Sequence, residues 1–187
     1  MSPVSIYSYV NSNLEVRPVP EKGGLGLFAR LPVAEGELLV VWGGEIRTGE
    51  QIAGMPQADN CHGLQVDENL YLWSIEEGDD GDSVNHSCNP NAWISGQISL
   101  LARRRIEPGE EITFDYATTD GSDYDTFECH CGDPLCRGIV TGQDWQRQDL
   151  QERYQGHFST YIQRRIDRLI HHGDTECTEK IKLWNIP

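Results

Sequence analysis

Turn signals recur so closely through residues 14–118 that only short extended segments fit between them. GGLG at 23–26, VAEG at 33–36, EEGDDGD at 76–82, NHSCNPN at 85–91 and EPGE at 107–110 punctuate the chain. Between them lie LEVRPV, LFAR, ELLVVWGGEI, WISGQISLLARRRI and EITFDYAT, rich in β-branched and aromatic residues. Glycine and proline break regular structure, and such runs favour strands. This predicts a mainly β body of small sheets. The polar stretch 48–83 adds one strand candidate, LYLWSI, and no internal repeat is visible.

The period changes after residue 142. Leu150, Tyr154, Phe158, Tyr161, Ile162, Ile166, Leu169 and Ile170 recur at three- and four-residue spacing, the pattern of an amphipathic helix. Gly156 should interrupt it. The same segment holds Arg147, Arg153, Arg164, Arg165 and Arg168. Its apolar stripe packs either on the β body or against a second copy, so a monomer and a homodimer through this helix are both open.

At 187 residues the chain suits one domain with a core of its own. MSPVSIYSYVNSNLEV lacks a basic n-region and an apolar h-region, which argues against a leader. No apolar run approaches the ~20 residues of a membrane span. The expectation is a cytoplasmic protein with no membrane association, the nucleus staying open. The formal net charge is −15, which disfavours phosphate backbones and direct nucleic-acid binding. Residues 48–102 contain no Lys or Arg but nine acids, and residues 106–136 repeat that pattern with nine more. Such a field draws a cationic partner.

Six cysteines in a reducing compartment read as metal ligands rather than a disulfide framework. Cys129, Cys131 and Cys136 form a compact C-x-C-x4-C turn. A structural zinc takes four ligands, so one is missing. His130 is squeezed between two cysteines, Cys61 and Cys177 have no supporting context, and Cys88 lies in a dense polar turn.

Four motifs in order resemble those of the SET-domain protein-lysine methyltransferases. They are Gly24-Leu25-Gly26, Asn85-His86-Ser87-Cys88-Asn89-Pro90-Asn91, Gly109-Glu110-Glu111-Ile112-Thr113-Phe114-Asp115-Tyr116, and Cys129-His130-Cys131-Gly132 with Cys136-Arg137-Gly138. The last resembles a post-SET zinc element. The resemblance spans about residues 14–140. It implies small sheets around a knot-like crossing of Asn85–Cys88 with the strand ending at Tyr116. It divides the chain into an N-terminal segment (1–13), a SET domain (14–118), a post-SET zinc element (119–141) and a helical tail (142–187).

The resemblance also implies roles. One structural zinc would be held by Cys88, Cys129, Cys131 and Cys136, leaving Cys61 and Cys177 as ordinary cysteines. S-adenosyl-L-methionine would be held by Gly24, Leu25, Gly26, Asn85, His86 and Phe127. Glycines let backbone approach a ligand closely. Tyr116 would be the catalytic tyrosine, orienting and polarising rather than deprotonating. Trp42 and Phe114 would line the amine channel, and Phe114 leaves room for di- or trimethylation. The expected activity is in-line methyl transfer to lysine in a basic protein or peptide, with the acidic insert forming part of the groove. Two departures stand out: Trp42-Gly43-Gly44 replaces the usual Tyr-x-Gly, and Asp82-Ser83-Val84 the usual Arg-Phe-Ile. They motivate two alternatives, an N-methyltransferase of a small amine or another side chain, and a weakly catalytic binding module.

Overall fold

The computed structural model describes residues 8–20, 24–55, 63–74, 79–122 and 126–170. Cys61, Cys177, Glu76 and Glu77 lie outside the described residues. Strands run β1 (Tyr9–Val10), β2 (Leu14–Val19), β3 (Gly24–Ala29), β4 (Leu38–Val41), β5 (Glu45–Thr48), β6 (Gly63–Asp67) and β7 (Leu70–Trp73). They continue with β8 (Asn85–His86), β9 (Ala92–Ser95), β10 (Ser99–Ala102), β11 (Thr113–Phe114), β12 (Thr126–Glu128) and β13 (Ile139–Thr141). Helices are α1 (Gly49–Ala53), α2 (Gln148–Arg153) and α3 over 160–170.

The strands are short because the turns are frequent, and they pair into small sheets. The largest has the order β1-β4-β10-β9; another is β5-β7-β6, and β2-β3, β8-β11 and β12-β13 are pairs. In the β9–β10 hairpin Ala92 pairs with Ala102 and Ile94 with Leu100. All four are fully buried, so the period-2 alternation puts one face into the core. Leu27, Ala29, Val33, Leu39, Val40, Ile106 and Ile112 belong to the same core, as do Leu14, Trp42, Val84 and Phe114.

The expectation of a mainly β body of small sheets holds, with two local differences. The acidic stretch carries β6 as well as β7, since GLQVD gains its pairing from a neighbour it could not reveal alone. EITFDYAT is extended only at Thr113–Phe114; from Tyr116 it winds into a 3-10 turn because Asp115 caps it. The tail is interrupted where expected: it forms two helices, broken where Gly156 takes a φ of +80°, a conformation that favours glycine.

The tail packs on the body through its own core of Ala117, Trp145, Leu150, Tyr154, Phe158, Tyr161, Ile162 and Ile166. The first backbone donors of α3 are met by body acceptors. Ser159 N donates to Thr118 O at 2.7 Å, Thr160 N to Gly96 O at 3.1 Å and Tyr161 N to Gln97 Oε1 at 3.0 Å. His157 stacks on Trp93 with ring centroids 3.4 Å apart. The end of the stripe departs from expectation: Leu169 and Ile170 are exposed.

Candidate active site

The site is built where two distant segments cross. β8 and β11 pair in parallel, Thr113 against Asn85 and Phe114 against His86, and Ser87 N donates to Phe114 O at 3.1 Å. Asn85 then reaches a third segment: its Nδ2 donates to Leu25 O at 2.9 Å and to Glu111 Oε1 at 2.8 Å. Gly24–Gly26 is thereby tied to the crossing. The two glycines serve different ends. A Cβ on Gly26 would lie 2.7 Å from Val19 Cγ2 and 2.9 Å from Glu111 Oε1, whereas one on Gly24 would meet open space. Gly26 admits neighbouring protein, and Gly24 borders open space.

Tyr116 opens the 3-10 turn that follows β11. Its N–H donates to His86 Nδ1 at 3.3 Å and its hydroxyl to Val84 O at 3.1 Å. Because Nδ1 accepts, Nε2 carries the imidazole proton, and it faces Cys88 Sγ at 3.3 Å. Asp115 Oδ1 lies 3.7 Å from the same Nδ1, too far for a hydrogen bond. The His86 ring is therefore committed, and its edge packs on Tyr116 and Phe127 with centroids 5.3 and 5.5 Å away. Phe114 lies 4.9 Å from Tyr116 and Trp42 5.4 Å from Phe114, both centroid to centroid. Trp42 Nε1 donates to Gly81 O at 2.9 Å in a buried bond. Tyr116, Phe114, Trp42, His86 and Phe127 thus form one continuous aromatic cluster.

Cys88, Cys129, Cys131 and Cys136 converge beside His86, all four Sγ atoms within 4.8 Å of one another. Tetrahedral zinc with Zn–S bonds of ~2.3 Å needs sulfur–sulfur edges of about 3.8 Å. Cys88 Sγ to Cys129 Sγ is 3.8 Å, so the donor set fits such an ion. Burial pushes the Cys88 and Cys129 thiols up. At Cys131 burial acts the same way, but hydrogen bonds from the backbone N–H groups of Asp133 and Cys88 and from the Cys129 and Cys136 side chains together outweigh it and hold the thiol at about 7. Four thiols this close ionise together only beside a cation. His130 points away, its side chain 83% exposed.

Residue-by-residue reading missed the polar links beneath this cluster. Arg137 contacts Asp115 and Asp144, Tyr154 reaches Asp115, and Arg153 Nη1 donates to Cys88 O at 3.1 Å. The tail therefore braces both the tyrosine turn and a cysteine. No periodicity signals such pairs; the acid-and-arginine content of the motifs was visible, but not who faces whom.

Two shallow clefts open on the surface. One of about 410 Å³ lies beside the cysteine turn, lined by Ser87, Asn89, Glu111, Thr113 and Asp133 among others. The other, about 320 Å³, lies between the β5-β7-β6 sheet and the tail, lined by Gln65, Glu68, Tyr71, Gly121, Ser122 and Arg165 among others.

The SET domain family matches residues 24–117. The chain is 33% identical to the histone-lysine N-methyltransferase ash1 of Drosophila melanogaster, over 64% of this chain and 6% of that protein. It is 31% identical to an H3 lysine-36 specific histone-lysine N-methyltransferase of Mycosarcoma maydis, over 66% of this chain and 14% of that one. The chain thus spans a small part of these relatives' length. Among solved structures, it resembles KRYPTONITE in complex with mCHG DNA and SAH, at a TM-score of 0.54 and 22% identity over 70% of this chain and 29% of that one. It also resembles Arabidopsis thaliana SUVH6 in complex with SAM, at a TM-score of 0.57 and 18% identity over 70% and 33% of the respective chains.

Proposed function

The chain belongs to the SET-domain family, and from that membership we propose that it methylates a lysine side chain of a basic protein, using S-adenosyl-L-methionine. The observation that carries this reading is the crossing at Asn85–Cys88. There the Gly24–Gly26 strand, the Tyr116 turn and the four-cysteine set meet on one aromatic cluster. When bound, the cofactor supplies an electrophilic methyl on a sulfonium.

The residues present supply the rest. Leu25, the open side of Gly24, the backbone of Asn85 and His86, and Phe127 would hold the cofactor. Trp42, Phe114 and Tyr116 would strip water from the incoming amine, and desolvation favours its neutral, nucleophilic form. The Tyr116 hydroxyl donates to Val84 O, so toward an amine N–H it acts as an acceptor and orients it. The Trp42 N–H is spent on Gly81 O, and Phe114 has no hydroxyl. Those carbon walls support di- or trimethylation. The four cysteines would hold one structural zinc, which anchors the turn beside Phe127.

The acidic insert would form part of the groove for residues flanking the target lysine, its β6–β7 hairpin carrying Asp67 and Glu68. Core histones are the first proteins to test, because the relatives above carry histone names. With a histone substrate, the site of action is nuclear rather than cytoplasmic. The experiment is transfer of labelled methyl from the cofactor to core histones, other basic proteins, free lysine and small amines. Label on protein lysine is expected. Label on small amines alone overturns the protein substrate, and tight cofactor binding with no transfer anywhere favours the binding module.

A further inference from the structure

Arg137 follows Cys136 directly, yet its side chain points away from the cysteine turn and into the body, 4% exposed. Its two ends touch different machinery. The backbone N–H donates to Cys88 Sγ at 3.3 Å. The guanidinium forks onto Asp115, Nη1 to Oδ2 at 2.6 Å and Nη2 to Oδ1 at 2.8 Å. Its Nε donates to Asp144 Oδ2 at 2.8 Å.

Asp115 immediately precedes Tyr116, and its side chain is fully buried. Its Oδ1 accepts Ala117 N at 3.1 Å, capping the 3-10 turn that carries Tyr116. Its Oδ2 also accepts the Tyr154 hydroxyl at 3.0 Å. A carboxylate gripped by a planar two-pronged donor has little freedom to rotate. With the carboxylate plane held, the Ala117 amide and the turn are held too. Another polar link from the cysteine turn to the body, Asn89 Nδ2 to Asp133 Oδ2 at 2.9 Å, is exposed and open to competition from water.

We propose that Arg137 is a positioning residue, coupling the metal-bound state of the cysteine turn to the placement of Tyr116 through the Asp115 cap. Cys88 and Cys136, which would hold the zinc, would fix the Arg137 backbone; the fork places Asp115, and the capped turn presents the phenol. This rests on the methyltransferase and zinc readings. Amide exchange provides a readout that needs no turnover, and metal analysis reports the zinc separately.

The test compares Arg137→Lys, which keeps the charge but loses the fork, with wild type and Asp144→Asn. In Arg137→Lys, zinc should stay at one per chain and cofactor affinity should change by less than about twofold. kcat should fall about tenfold or more with KM unchanged, as expected when a bond to a charged group is lost. Amides of 115–118 should exchange about tenfold faster while those of the β9–β10 hairpin keep their wild-type rates. Asp144→Asn, which spares the fork, should leave the 115–118 amides near wild type. Unchanged exchange at 115–118 in Arg137→Lys overturns the proposal. So does zinc loss, uniformly faster exchange, or an equal effect from Asp144→Asn. Should Arg137→Lys fail to fold, chelating zinc from wild type decides: the 115–118 amides must lose protection while β9–β10 keep theirs, and retained protection overturns the coupling. No transfer to any substrate would remove the kcat arm but leave the exchange arm decisive; a wild type without zinc overturns both zinc reading and coupling.

Discussion

Trp42 ties the aromatic cluster to the chain just ahead of the Asn85–Cys88 crossing. Its indole packs against Phe114 and satisfies the buried carbonyl of Gly81. Trp42→Phe keeps the aromatic packing but leaves that carbonyl unpaired, which should destabilise the protein by about 1–3 kcal/mol; urea unfolding measures it. Tyr116→Phe removes a single hydroxyl from a ring still packed by Phe114, His86 and Phe127. Turnover should drop about tenfold or more with cofactor affinity nearly intact, read by single-turnover transfer and calorimetry. Unchanged turnover would remove the phenol from its assigned role.

At the scale of elements, the tail is part of the site's support. Phe158 is buried in the second core and meets the Tyr154 ring edge-on at 6.2 Å. Phe158→Ala should cost about 3–5 kcal/mol by denaturant unfolding. Because Tyr154 also holds Asp115, the loss should reach activity as well as stability. The bend between α2 and α3 needs the positive φ of Gly156. Gly156→Ala should cost about 1–2 kcal/mol, seen as a lower urea midpoint at unchanged slope. The helix period was legible in the chain and its break was expected at that glycine. The exposure of Leu169 and Ile170 was not, because a stripe states which residues are apolar but not how far the body beneath them extends.

For the whole molecule, charge and metal set the conditions of action. Thirty acids against fifteen bases should make capture of a basic substrate salt-dependent. KM should rise between about 0.05 and 0.3 M salt as the Debye length shrinks, with kcat little changed. Glu68→Lys, in the cleft beside the insert sheet, should raise KM in the same direction. Chelation of zinc, or Cys88→Ser, should release the β12–β13 turn and cost activity along with local order, checked by metal analysis and methyl transfer side by side. Zinc retained by Cys88→Ser would assign the fourth ligand elsewhere.

Local chemistry was enough to write down the short strands, the turns, the amphipathic tail and the three-cysteine motif. Those properties depend on residues a few positions apart, so spacing carries them. The chain's own motifs, by resemblance, also named Tyr116, Asn85-His86 and Cys88 as one site. What the residues do to one another needed the tertiary structure. The parallel contact of Asn85 with Thr113, the edge that makes GLQVD a strand, and the fork of Arg137 on Asp115 join positions 22 or more apart or depend on a partner strand. Pairing at such distances is decided by how the whole chain closes its cores, and a buried arginine chooses its carboxylate only once water has been excluded around both.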